Sequence, residues 1–273
     1  MDTFTGSVAV IGSGKMGEIL AAGMVRAGVC PPGRVLMTDA DPARVAEVSA
    51  RHGFCAAEGN RQAVEVSEVV ILAVKPKDLA AVMAEIAPCV KDSHLVVSIA
   101  AGVTTKSLEA GLGASAAVVR AMPNVASQVG EGMTAICAGN RALERHLVVA
   151  RQLLEGVGPV IVVEEQYIDA VTAVSGSGPA YIALFAEAMI EAGVTVGLPR
   201  ETASQLVAQT LKGTAALVTE AGMQPSEVRA AVTSPGGTTA MAVRELERAG
   251  VRAAVLDAVQ AALDRARMLA ETS

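Results

Sequence analysis

The chain has 273 residues, 52% of them hydrophobic but only 2% aromatic, with no tryptophan. That is enough for one large or two modest domains, with cores of Ala, Val, Leu, Ile and Met. The formal net charge of −6 argues against a nucleic-acid or anionic-membrane surface, and Cys30, Cys55, Cys89 and Cys137 have neither metal-site nor disulfide-framework spacing.

No metal is therefore expected, and a reducing cytoplasm fits best. The opening residues lack a basic stretch followed by a long apolar run, so no signal peptide is expected. Ser7–Ile11 is a short, β-branched apolar run that predicts a strand. It leads into Gly12-Ser13-Gly14-Lys15-Met16-Gly17, and a helical pattern follows through Ile19, Leu20, Met24 and Val25. Strand, GxGxxG and helix in that order form a dinucleotide fingerprint. Gly12 permits the tight turn, Gly14 the approach of a pyrophosphate, and Gly17 close helix–strand packing.

A second strand is predicted at Val35–Thr38, ending at Asp39, 22 residues beyond Gly17. An acidic side chain there can accept from both ribose hydroxyls of NAD(H) and repels a 2′-phosphate. The other reading of Asp39 is a cap for the helix beginning near Asp41-Pro42. Arg34 and Arg44 leave a phosphate clamp, and so NADPH, open. Val69–Val74 predicts a central parallel strand that ends at Lys75-Pro76, with Lys75 either near the cofactor or solvated. Further strands are expected at Leu95–Ile99, Ala116–Val119, Met133–Ala138 and Val160–Val163, with helices between them. The result is a doubly wound parallel sheet over residues 1–164. Its later strand ends, Ser98–Gly102 and Arg120–Asn124, are candidates to border the nicotinamide.

Residues 165–273 read as all-helical, with Pro179, Pro199 and Pro225 at first-turn positions. The stretch Ala170–Ala186 is too broken by Gly176, Gly178 and Pro179 to read as a membrane span. Tyr181–Ile190 is apolar nearly all round and should be buried, which implies packing against another subunit. The Ser175–Gly178 stretch reads either as a tight inter-helix turn or as a backbone approach to ligand.

The most distinctive stretch is Thr233-Ser234-Pro235-Gly236-Gly237-Thr238-Thr239, where a Pro-Gly-Gly turn opens into a helix. Orphan amides and the helix dipole at such a start suit a carboxylate; the other reading is routine Ser/Thr capping. Beyond residue 165 there is no histidine, and the only lysine is Lys212. Alcohol oxidation usually needs a base, whereas a C=N bond can arrive protonated. This half therefore favours imine chemistry.

Taken together, these motifs resemble the pyrroline-5-carboxylate reductase family over nearly the whole chain. The match includes Val10–Gly17, Ala73-Val74-Lys75-Pro76, Arg120–Asn124, Ser175–Tyr181 and, most specifically, Val232–Thr239. The resemblance implies NADPH- or NADH-dependent reduction of 1-pyrroline-5-carboxylate to L-proline by a cytoplasmic homo-oligomer built on dimers, without nucleic-acid or membrane partners. It implies that Ser234 and the Gly237, Thr238 and Thr239 backbone hold the substrate carboxylate, with Thr239 hydrogen-bonding the ring nitrogen and Glu220 at the border of the site. It also implies that Gly12 to Gly17 hold the pyrophosphate and that Asn60, Ala73, Val74, Lys75, Pro76 and Ala100 are further cofactor contacts. Thr38-Asp39-Ala40-Asp41 departs from the small polar phosphate-binding stretch frequent in the family, which argues against a strict NADPH preference and leaves NADH to serve as well or better. The alternatives are a β-hydroxyacid dehydrogenase, disfavoured because no lysine lies between Glu165 and Leu211, and a non-catalytic NAD(P) sensor.

Overall fold

The computed structural model describes residues 4–113 and 116–271. The chain divides into two compact units, Met1–Ser177 with Ala262–Ser273, and Gly178–Ala261.

The first unit alternates strand and helix. Its elements are β1 (Val8–Ile11), α1 (Lys15–Arg26), β2 (Val35–Thr38), α2 (Pro42–His52), β3 (Cys55–Ala56), α3 (Asn60–Glu65), β4 (Val69–Leu72), α4 (Pro76–Ile86), β5 (Leu95–Ser98), α5 (Thr105–Leu112), β6 (Ala117–Met122), β7 (Thr134–Ala138), α6 (Glu144–Leu154), β8 (Val160–Val162) and α7 (Ile168–Val171). The strands form one sheet in the order β3-β2-β1-β4-β5-β6-β7-β8. β1 and β4 are buried along their whole length, which is why their sequences are unbroken apolar runs rather than alternating ones. One core, with Leu20, Met24 and Leu153, covers one sheet face. Another, with Leu79, Ile86 and Leu108, covers the other.

Two features of the sheet are not expected from the sequence. The two-residue strand β3 pairs in parallel with β2 at the edge and is too short to show as a pattern. β7 runs antiparallel to β6; the eleven residues between them hold a short 3₁₀ turn, Val125–Val129, instead of the helical crossover that parallel pairing needs. β6 also continues to Met122, so Arg120 sits within the sheet rather than beyond its end. The Arg120 guanidinium, only 4% exposed, pairs with Glu165 at 3.4 Å and Asp169 at 3.2 Å, and Glu165 also accepts from the Thr105 backbone N–H and hydroxyl, each at 2.6 Å. This network ties β6, the start of α5, the residues before α7 and α7 itself together.

Thr172–Gly176 is π-helical, with the Ser177 N–H donating to Thr172 O at 2.9 Å. Asn124 Nδ2 donates to the Ser175 carbonyl and hydroxyl. Of the two readings of this stretch, the tight inter-helix turn gives way to a wider π-helical turn.

The second unit contains α8 (Gly178–Thr195), α9 (Arg200–Thr219), α10 (Pro225–Ala231), α11 (Thr238–Arg248) and the first part of α12 (Val251–Glu271). α12 ends in the first unit, where Ala266 is buried. Within a single chain α8 is exposed, Ile182 and Leu184 by 59% and 67%, so the burial expected of it is not supplied by this copy. By length and composition alone, the helical stretch Glu165–Thr195 is apolar enough to cross a membrane. A helix apolar all round needs a covering surface, and one copy of the chain does not provide it.

Candidate active site

Strand order reverses between β1 and β4, and in open α/β sheets ligands bind beyond the carboxyl ends at such a point. A cleft of about 760 Å³ lies there, and Gly12, Gly14, Asp39, Asn60, Ala73, Val74 and Lys75 are among its lining residues. The other expected cofactor residues, Ser13, Lys15, Met16, Gly17, Pro76 and Ala100, are not among its lining residues. Ser13 is fully buried and donates its hydroxyl to Thr38 O at 3.1 Å. Lys15 and Met16 open α1, Pro76 occupies the first turn of α4, and Ala100 is buried just past β5.

The glycines have different local reasons. A Cβ on Gly17 would lie 2.0 Å from Gly12 O, so only glycine lets α1 approach β1 this closely. A Cβ on Gly14 would meet nothing within 4 Å. Gly14 thus presents bare backbone to the cleft at the N-cap of α1, as a bound pyrophosphate requires.

Asp39 does not cap α2. Asp41 does, accepting from the Ala43 N–H at 3.0 Å. Asp39 lines the cleft and accepts from the Ser13 N–H at 2.7 Å and the Asp41 N–H at 3.1 Å. Neither cation considered for a phosphate clamp is free at this edge. Arg34 precedes β2, roughly 15 Å along the strand from Asp39, and donates to Thr5 O. Arg44 is engaged by Glu18 and Glu47. Glu18 is held below the usual carboxylate range: burial pushes it up, but hydrogen bonds from His52 and Arg51 and the Arg44 charge outweigh that.

Sequence reasoning missed Glu58, Asp78 and Glu85, which also line the cleft. Glu85 accepts from Asn60 Nδ2 at 2.8 Å. Glu58 follows the missed strand β3, and Glu85 lies on a helix whose polar face carried no motif. Lys75 and Lys77 are the cleft's cations, against four carboxylates.

In the second unit, the Gly237 N–H donates to Ser234 O at 3.0 Å and Gly236 has φ +71°, so Ser234–Gly237 forms a type II turn. Gly237 is the N-cap of α11. It has no side chain, so the first-turn amides are not capped in the routine Ser/Thr manner. A Cβ at position 237 would lie 2.4 Å from the Ser234 hydroxyl oxygen, so glycine here leaves that hydroxyl room beside the helix start. Thr238 and Thr239 form the first turn of α11, and Glu220 is exposed at the C-cap of α9.

A reversed-order parallel sheet, a glycine turn under a helix start and an acidic end on the second strand define a nicotinamide-dinucleotide oxidoreductase of the Rossmann type. Residues 7–102 match the family model described as NADP oxidoreductase, coenzyme F420-dependent, and residues 165–269 match that described as pyrroline-5-carboxylate reductase dimerisation. A pyrroline-5-carboxylate reductase from Corynebacterium melassecola is 42% identical, the alignment covering 96% of this chain and 98% of that one. The structure of a pyrroline-5-carboxylate reductase from Coxiella burnetii superposes with a TM-score of 0.92 at 36% identity, over 98% of this chain and 99% of that one. That of the Plasmodium falciparum pyrroline carboxylate reductase with NADP bound superposes with a TM-score of 0.86 at 28% identity, over 97% and 98%. The chain belongs to the pyrroline-5-carboxylate reductase family, and its helical half is a dimerisation domain.

Proposed function

We propose that this chain catalyses NAD(P)H-dependent reduction of 1-pyrroline-5-carboxylate to L-proline, the final step of proline biosynthesis. The observation that carries this reading is the co-occurrence, in a member of this family, of the Gly14 turn at the α1 start and the glycine-capped start of α11. Residues 1–164 hold the dinucleotide, and residues 165–273 hold the substrate and the partner subunit. The exposed apolar face of α8 packs on that partner, and the enzyme is a cytoplasmic oligomer of dimers with no nucleic-acid or membrane partner.

The reduced nicotinamide supplies the hydride. The Gly12–Gly17 backbone holds the pyrophosphate at the dipole of α1, while Asp39 accepts from the adenosine ribose. The amides of Gly237, Thr238 and Thr239, with the Ser234 hydroxyl, hold the substrate carboxylate. Thr239 hydrogen-bonds the ring nitrogen, and Glu220 borders the site. The imine nitrogen is basic enough to arrive protonated, which accounts for a second half with no histidine and a single lysine, Lys212. Positioning therefore supplies most of the rate.

The test follows nicotinamide absorbance with pyrroline-5-carboxylate and each cofactor. Turnover is expected with both, and with NADH at least as good as NADPH. Tight NADH binding without oxidation of either cofactor would instead make the chain a nucleotide sensor.

A further inference from the structure

The cleft carries a charge arrangement that bears on which dinucleotide this chain takes; the inference rests on the assignment of Asp39 to the adenosine ribose. Between Thr38 and Glu47 the only cation in the sequence is Arg44. Its neighbours Pro42, Val45 and Ala46 line the cleft with Asp39, yet its guanidinium is engaged elsewhere. Nη2 lies 2.5 Å from Glu18, Nη1 lies 2.8 Å from Glu47, and Nε donates to Ser13 O at 3.1 Å. The N–H of the same Ser13 donates to Asp39. Asp39 and Arg44 are thus attached to the two sides of one residue in the glycine turn.

A ribose 2′-phosphate brings roughly two negative charges, and binding it beside Asp39 requires a guanidinium or ammonium partner. Arg44 is the one such group between Thr38 and Glu47, and both of its terminal nitrogens are already paired with carboxylates that it shares with Arg51. Glu18 is well suited to hold it, since its side chain is 15% exposed and is fixed further by Arg51 at 2.5 Å and His52 at 2.9 Å. We propose that Glu18 and Glu47 are specificity-determining residues: by sequestering Arg44 they withhold a 2′-phosphate clamp, and with Asp39 they set a preference for NADH over NADPH. Arg44 is therefore a latent phosphate ligand, released when its two carboxylates lose their charge.

The test measures Kd for NADH and NADPH by nicotinamide fluorescence on the full chain, without substrate. The proteins are wild type, Asp39→Ser, Asp39→Ser/Glu18→Gln/Glu47→Gln, and the last with Arg44→Met added. Wild type is expected to bind NADH more tightly, and Asp39→Ser to narrow the gap. The triple variant is expected to bind NADPH about tenfold more tightly than Asp39→Ser, as one new charge-assisted pair would give. That gain should shrink at high salt and vanish with Arg44→Met. If the triple variant loses its thermal transition, Asp39→Ser/Glu47→Gln leaves Glu18 in place and is expected to show part of the gain. A triple variant no better than Asp39→Ser, or a gain that survives Arg44→Met, would overturn the proposal while leaving Asp39 on the ribose. A wild type that binds NADPH more tightly than NADH would overturn the ribose assignment itself, and this inference with it.

Discussion

Gly17→Ala and Gly14→Ala are a paired test of the glycine turn, because the two positions restrict a side chain for opposite reasons. A Cβ on Gly17 would sit 2.0 Å from Gly12 O and 3.2 Å from the Ala73 Cβ. The first obstacle is backbone at a residue with φ +108°, and α1 is anchored beyond it by the fully buried Leu20 and Met24. Relief requires the start of α1 to move by about 1 Å, and overpacking of this kind costs about 1–3 kcal/mol. At this chain length that lowers Tm by about 2–10 °C. The same displacement moves the amides proposed to hold the pyrophosphate, so kcat/KM should fall about a hundredfold. Gly14 has φ −63° and ψ 178°, which alanine adopts without strain, and its Cβ would meet nothing. Gly14→Ala should keep Tm or raise it, by up to about 1 kcal/mol of stability, while weakening NADH binding about tenfold because the methyl stands where the pyrophosphate approaches. Thermal melts and fluorescence titrations of both variants suffice. A Gly17→Ala protein with wild-type Tm and affinity would refute the packing argument, and a Gly14→Ala protein with wild-type affinity would refute the backbone-approach argument.

Thr239→Ala is expected to lower kcat/KM by roughly one to two orders of magnitude, as loss of one preorganised donor does, with Kd for NADH unchanged; an unchanged kcat/KM would remove Thr239 from the mechanism. Glu165→Ala takes one carboxylate from the buried Arg120 and the acceptor from Thr105. Urea unfolding at neutral pH should show a loss of about 3 kcal/mol, and a loss under about 1 kcal/mol would mean the network contributes little. His94 is 4% exposed and its Nδ1 accepts from the Lys91 N–H at 2.9 Å. Burial, then the Lys91 charge, holds its pKa below the ordinary 6.5. The folded state then binds fewer protons than the unfolded one below pH 6.5, so stability declines as pH falls from there toward the depressed value. His94→Asn should flatten that decline between pH 7.5 and 5.5; equal slopes would refute the assignment.

Most of the first unit is legible in the sequence because its strands are buried on both faces and write themselves as apolar runs, as Val69–Leu72 does. β3 is not legible, since two residues carry no period. The reversal of β7 is signalled only by what is missing between Met122 and Thr134, a helix-length connection. Asp39 and Asp41 are two residues apart with the same chemistry, and only the fold assigns the cap to one and the cleft to the other. The Arg44–Glu18 pair joins residues 26 positions apart on different helices, beyond any local pattern. For α8 the composition gives the physical demand, a covered surface, but a single chain leaves that surface exposed.

The path of the backbone has a consequence for biosynthesis. The polypeptide leaves the first unit at Ser177 and re-enters it at Ala262, where α12 brings Leu269 within van der Waals reach of Gly102. During translation, the residues that complete the first unit emerge from the ribosome only after the whole helical unit. The loop after β5 must therefore wait for its last packing partner, and a premature stop within α12 would be felt there, far upstream in the message.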